Sequence, residues 1–202
     1  DLPLPGVKPL VLSLDTLGVF ARSVEDFQRF RAALLGEPAE LAPPSYPPKI
    51  GLCRTPQWSQ AEPATRSALE TAAAKLSDAG AAVEELELPP EFDGLCVAQN
   101  TVFVAEGARC LSFELTEKRE LVSEQLRGVL EPGFGISRFE ELEARAVIQL
   151  CLRSLESVFA DYDVLLTPSA PGEAPEGLGD TGNPVFNRMW TALGTPTVNL
   201  PG

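Results

Sequence analysis

Residues 49–54 read KIGLCR, residues 63–80 read PATRSALETAAAKLSDAG, and residues 81–88 read AAVEELEL. This stretch decides the fold class. Lys49–Arg54 is a short apolar run bounded by turn residues, the pattern of a strand. Pro63 suits the first turn of a helix, because its missing N–H would be unpaired there in any case. Leu69, Ala72, Ala73 and Leu76 then recur at helical spacing, and Gly80 is a natural stop. In Ala82–Leu88, Val83, Leu86 and Leu88 alternate with Glu84, Glu85 and Glu87, which describes a strand with one wet face near a sheet edge. The unit reads as a βαβ crossover, or else as two strands meeting different neighbours. The class is α/β, a mixed β-sheet flanked by helices. That class hosts many chemistries and names none of them.

Working outward, the apolar run Val7–Leu14 predicts a short strand, punctuated by Gly18. Ser23 followed by Glu25 and Asp26 offers a capping hydroxyl and first-turn carboxylates. Val24, Phe27, Phe30, Ala33 and Leu34 continue as a helix that Gly36 and Pro38 end. Residues 36–48 are loop, with Pro43, Pro44, Pro47 and Pro48. Residues 91–160 are mostly helical. One or two helices span Phe92–Leu130 with a break near Gly107, Pro132–Gly135 is a turn, and Ser137 with Glu140 forms a capping box opening a helix to about Phe159. Val164–Thr167 predicts a short buried strand. Residues 168–183 are a Pro- and Gly-rich loop, Pro184–Leu193 a helix, and Thr197–Leu200 one more strand. There is no internal repeat and no phosphate loop. Gly133-Phe134-Gly135 follows a helix, whereas a dinucleotide fingerprint follows a strand.

Composition narrows the function classes. The chain has 202 residues, 44% hydrophobic and 22% charged, with a formal charge of -13. That fits a soluble globular unit. Excess negative charge argues against nucleic acid and against an anionic membrane surface, since both need clustered Lys and Arg. No apolar run reaches the length of a spanning helix, and Asp1–Lys8 carries no signal-peptide pattern. Cys53, Cys96, Cys110 and Cys151 form no C-x-x-C pair, which predicts free thiols and a reducing, cytoplasmic setting. Histidine is absent. No Ser-His-Asp triad, Cys-His dyad or His-ligated metal can therefore form within the chain, and no metal or cofactor is expected.

Three segments carry a resemblance. Residues 13–26, SLDTLGVFARSVED, resemble the S-x-D-T-x-G-x-x-A-R-S-V-x-D stretch of amidase signature enzymes. Residues 161–168, DYDVLLTP, with Ala170-Pro171 after them, resemble the family's D-Y-D-V-L-L-T-P strand and exit loop. Residues 186–196, FNRMWTALGTP, and the Pro201-Gly202 ending resemble the helix and strand leading to its last core strands. The resemblance implies the family's large mixed sheet between helices. It also implies hydrolysis of a carboxamide C–N bond through an acyl-serine intermediate, by a lysine, a serine in a cis peptide and a serine nucleophile. Serine is a weak nucleophile until a positioned base takes its proton, and backbone N–H groups hold the oxyanion. The family's triad precedes the segments matched here, and no Gly-Ser-rich signature occurs in this sequence. Residues 1–202 thus read as one partial amidase domain, the C-terminal-side portion truncated at both ends. It would hold no catalytic residue and be inactive alone. Two alternatives stand beside this reading. One is a degenerate amidase-like interaction module whose open sheet edges favour a homo-oligomer. The other is an A-type subunit of glutamyl-tRNA amidotransferase.

The resemblance places Asp15 and Thr16 in the shell that supports the active-site loop, although Asp-Thr before a turn also bonds its own backbone. Asn183, Asn187 and Trp190 are candidates for contact with a small amide substrate in the full-length enzyme. Trp190 and Phe186 read equally as core. Arg138 and Arg145 could pair with a substrate carboxylate, against a plainer reading as surface charge. Lys8, Lys49, Lys75 and Lys118 read as solvated, and Ser13, Ser23 and Ser169 as loop or cap residues. Asp161 and Asp163 read as strand-entry caps rather than as a glycosidase pair.

Overall fold

The computed structural model describes residues 6–38, 40 and 45–200. Pro43, Pro44 and the Pro201-Gly202 ending lie outside the described residues. The KIGLC run forms β1 (Lys49–Cys53), PATRSALETAAAKLSD forms α2 (Pro63–Asp78) with Pro63 in its first turn, and AVEEL forms β2 (Ala82–Leu86). Before them comes α1 (Val24–Leu35). After them come α3 (Leu95–Cys110), α4 (Ser112–Glu117), α5 (Glu124–Leu130), α6 (Arg138–Asp161), β3 (Val164–Leu166) and α7 (Val185–Ala192). β1 is the central strand and pairs in parallel with β2 on one side and β3 on the other.

Alternation along β1 builds two layers. Leu52 points to α2, where it meets Leu69 and Ala73 with Trp58, Val83 and Leu166 alongside. Cys53, one residue on, enters the larger core with Phe92, Val102, Ile148, Leu155 and Met189. That core covers the other face of the sheet through α3, α6 and α7. β1 sits close to its neighbours at Gly51, where a Cβ would stand 2.9 Å from Leu165 Cδ2. Two glycines set the helical layer in the same way. A Cβ on Gly107 would lie 2.6 Å from Leu130 Cδ2, and one on Gly133 would lie 2.1 Å from the Val104 carbonyl oxygen. α5 and the 3₁₀ turn at Glu131–Gly135 can therefore press against α3.

Several expectations change. Val7–Leu14 is a turn, because the Asp15 carboxylate accepts the N–H groups of Leu10 and Val11 that a ladder would use. Thr197–Leu200 forms no strand, and among the described residues no strand runs beside it. Val164 is exposed, so β3 is a half-covered edge and not a buried strand. Gly107 lies inside α3, and the break falls at Leu111. α1 forms as expected, with the Ser23 hydroxyl accepting from Asp26 N–H and Gly36 left-handed at φ 68°. None of its residues is buried. The four cysteines are free, and burial pushes the Cys53 thiol up to about 11.

Candidate functional site

Two of the three motif segments meet at one cavity of about 430 Å³. Ser13 and Leu14 form one wall, Thr191–Gly194 at the end of α7 a second, and Arg145, Ile148, Gln149 and Leu152 of α6 a third. Val102 of α3 closes the floor. Each wall has a local cause. Asp15 folds residues 10–15 into a turn, with its Oδ2 accepting from Leu10 N–H at 2.8 Å and Val11 N–H at 3.1 Å. Leu14 and Asp15 N–H groups both donate to the Val11 carbonyl at 2.9 Å. The α7 wall is anchored by Phe186, Met189 and Trp190, all buried.

A chain of charges holds the α6 wall. Glu141 is almost fully buried, its side chain 2% exposed. It takes a bidentate pair from Arg109 at 2.9 and 2.9 Å. It also accepts from Arg145 Nη2 at 2.9 Å and pairs with Arg138 at 3.3 Å. Burial alone would raise its carboxyl, but the hydrogen bonds from Arg109 and Arg145 outweigh that and hold it at about 2. Arg145 also pairs with Glu106. Glu106 accepts the Ser13 N–H at 3.0 Å and the Ser13 hydroxyl at 2.9 Å. Glu106 is likewise lowered, as the Ser13 and Arg145 bonds overcome burial. Arg145, the one charged lining side chain among the described residues, is thus fixed from two sides, and the Ser13 wall is tied to α3 through the same groups.

The structure distributes the sequence candidates unevenly. Asp15 is half-buried behind the first wall, and Thr16 is exposed. Asn183 Oδ1 accepts the Val185 N–H at 3.1 Å, so that side chain caps the start of α7. Asn187 is exposed on α7, and Trp190 is buried with its indole N–H unpartnered. Arg138 and Arg145 are engaged with Glu141. Asp163 caps the strand entry, accepting from Lys49 N–H at 2.8 Å and Tyr46 hydroxyl at 3.0 Å. Lys8 pairs with Glu114, and Lys49 lies 4.9 Å over the Tyr162 ring. Gln149 of the lining, and Glu106 and Glu141 behind it, were not read from the sequence. In a helix each looks like ordinary surface polarity, and only the packing of α3 on α6 shows otherwise. Among the described residues no cluster of His, Cys, Asp and Glu could hold a metal ion.

The amidase family model matches residues 1–202. This chain belongs to the amidase family. Within that family it is 32% identical over 185 residues to a 2-amino-5-chloromuconic acid deaminase of Comamonas testosteroni, covering 89% of this chain and 40% of that protein. It is 26% identical to an amidase of Pseudomonas putida, over 97% of this chain and 48% of the other. It is 28% identical to a glutamyl-tRNA(Gln) amidotransferase subunit of Enterococcus faecalis, over 98% and 48%. A crystal structure of an amidase superposes with a TM-score of 0.80 at 26% identity, across 92% of this chain and 45% of that one. A chain from the inhibitor-bound vestigial complex of an s-triazine catabolic enzyme's origins superposes at 0.78 and 21% identity, over 94% and 46%, which speaks for the fold alone. The amidase fold expected of this chain agrees with these superpositions, and its three described strands are all parallel where a mixed sheet was expected. The chain spans a little under half the length of the relatives it matches.

Proposed function

We propose that this chain is the substrate-side portion of a hydrolase that cleaves a carboxamide C–N bond, with the acyl-forming serine and its lysine supplied by polypeptide outside residues 1–202. The observation that carries the reading is the convergence of residues 13–14 and 191–194, from two family-like segments, on one cavity. Its apolar side chains would hold the body of a small amide, and Ser13, Gln149 and Thr191 would meet its polar end. Asp15 and Trp190 stand behind two walls, while Thr16, Asn183 and Asn187 are exposed and do not line the cavity. The deaminase and amidase names among the relatives support C–N cleavage with release of ammonia or an amine. In this reading the cell compartment is the cytoplasm, and no helix among the described residues is long and apolar enough to cross a membrane.

The test is ammonia release from simple aliphatic and aromatic carboxamides. The chain alone is expected to release none, and the full product of the reading frame that encodes it is expected to do so. Turnover by residues 1–202 would sink the proposal. The amidotransferase relatives favour one second reading, in which the longer product acts on glutamine only in a complex. Ammonia release from glutamine that requires partner proteins would select it.

A further inference from the structure

Arg145 has donors to spare. Its Nε donates to Glu141 at 3.1 Å, and its Nη2 donates to Glu141 at 2.9 Å and to Glu106. Nη1 carries two further N–H groups and makes no hydrogen bond among the described residues. Holding Glu141 does not require a third arginine, since Arg109 grips both its oxygens and Arg138 stands at 3.3 Å. The network sets three guanidinium groups against two carboxylates and leaves a positive charge over, in a chain whose formal charge is -13. Arg145 is the member of that network that lines the cavity, with 32% of its side chain exposed. Nothing on the walls cancels the charge. Asp15, behind the first wall, gives its carboxylate to the Leu10 and Val11 N–H groups. At the end of α7 the carbonyls of Met189, Trp190 and Thr191 accept the N–H groups of Leu193, Thr195 and Gly194. Gln149 lies one helical turn past Arg145 on α6 and lines the same cavity. A guanidinium backed by buried carboxylates and set among apolar walls suits an anion, because a charge-assisted hydrogen bond strengthens where water is scarce.

We propose that Arg145, through Nη1 and with the Gln149 amide beside it, binds a carboxylate of the substrate, so that the compound cleaved is an ω-amido acid. This rests on the proposed function, in which the cavity holds the amide and longer polypeptide supplies the serine. The carboxylate anchors one end of the molecule at α6. Its methylene body lies against Leu14, Val102, Ile148 and Leu152, the apolar part of the lining. The carboxamide at the other end is left for the serine. A neutral amide of the same length fills the same space but leaves the spare charge of Arg145 unanswered.

The test pairs succinamate, glutaramate and adipamate with their neutral diamides, so that chain length does not decide the outcome. Binding is titrated by calorimetry on residues 1–202, and KM is measured on the full product of the encoding reading frame. At least one acid should bind about tenfold or more tightly than its diamide, the factor that a hydrogen bond to a charged group is worth. The same preference should appear in KM. Arg145→Lys keeps the charge for Glu141 and Glu106 but removes Nη1, and it should erase the preference while the protein still melts cooperatively. Gln149→Glu leaves the buried carboxylates untouched and sets a negative charge beside Arg145, so it should erase the preference too, and it decides the matter if Arg145→Lys does not fold. Equal or tighter binding of every diamide with no preference in KM would overturn the proposal, as would a preference that survives Gln149→Glu. The two readings fail separately. Ammonia release from amides with no preference for the acids leaves the proposed function standing and removes the anion site. Selective binding of an acid, by a full product that releases no ammonia, does the reverse.

Discussion

Glu141 shows how much a single side chain can settle. It stands among three arginines, from α3 and from its own helix, in a nearly water-free position. Its carboxyl is depressed in the fold, so its contribution is complete above the unfolded value of 4.5 and is lost as pH falls toward about 2. Glu141→Gln should therefore cost about 3 kcal/mol at neutral pH, in line with the shift. It should also flatten the acid limb of stability between roughly pH 5 and pH 2, as read by urea denaturation across that range. Gly133→Ala is a sharper test of packing. The new methyl would meet the Val104 carbonyl at 2.1 Å, where backbone must move. A loss of about 2–3 kcal/mol is expected, against a near-neutral result if the turn can step aside. The sequence could not announce either residue. A glutamate in a helix and a glycine in a Pro-Gly turn both have common surface explanations, and only the approach of a second helix removes them.

At the scale of elements, what local chemistry decides was legible. The capping box at Ser137 and Glu140 is present as read, with Glu140 N–H donating to Ser137 Oγ at 3.2 Å and Ser137 N–H donating to Glu140 Oε2 at 2.8 Å. Ser137→Ala should destabilise by about 1 kcal/mol, measured by thermal or urea unfolding of the variant. The Ser23 cap, the Pro63 start and the Pro184 entry to α7 likewise follow from residues within a turn of one another. Two strand readings were not borne out, one for a local reason and one for want of a partner. Val7–Leu14 has a strand's composition, but Asp15 takes its donors first. Asp15→Ala should accordingly loosen the cavity wall and cost about 1–2 kcal/mol through unpaired N–H groups, with faster hydrogen exchange at Leu10 and Val11 as its local mark. Thr197–Leu200 fails as a strand for the opposite reason. Its composition is right and its partner is absent from the described residues.

For the whole molecule, the strand–helix–strand reading of residues 49–88 gave the layer architecture correctly. The third strand, β3, lies on the far side of β1, so the order β2-β1-β3 emerges only from the fold. Family membership was legible because three short motifs keep their order along the chain, and the cavity joins two of them. The rest of the site was not, because its charged frame is assembled from α3 and α6, which carry none of the three motifs. In the proposed function this fold shapes a substrate wall and owns no activated serine. The most direct measurement is the intact mass of the folded chain after incubation with a fluorophosphonate. An unchanged mass is the predicted result, and one stoichiometric adduct on a single serine would contradict it.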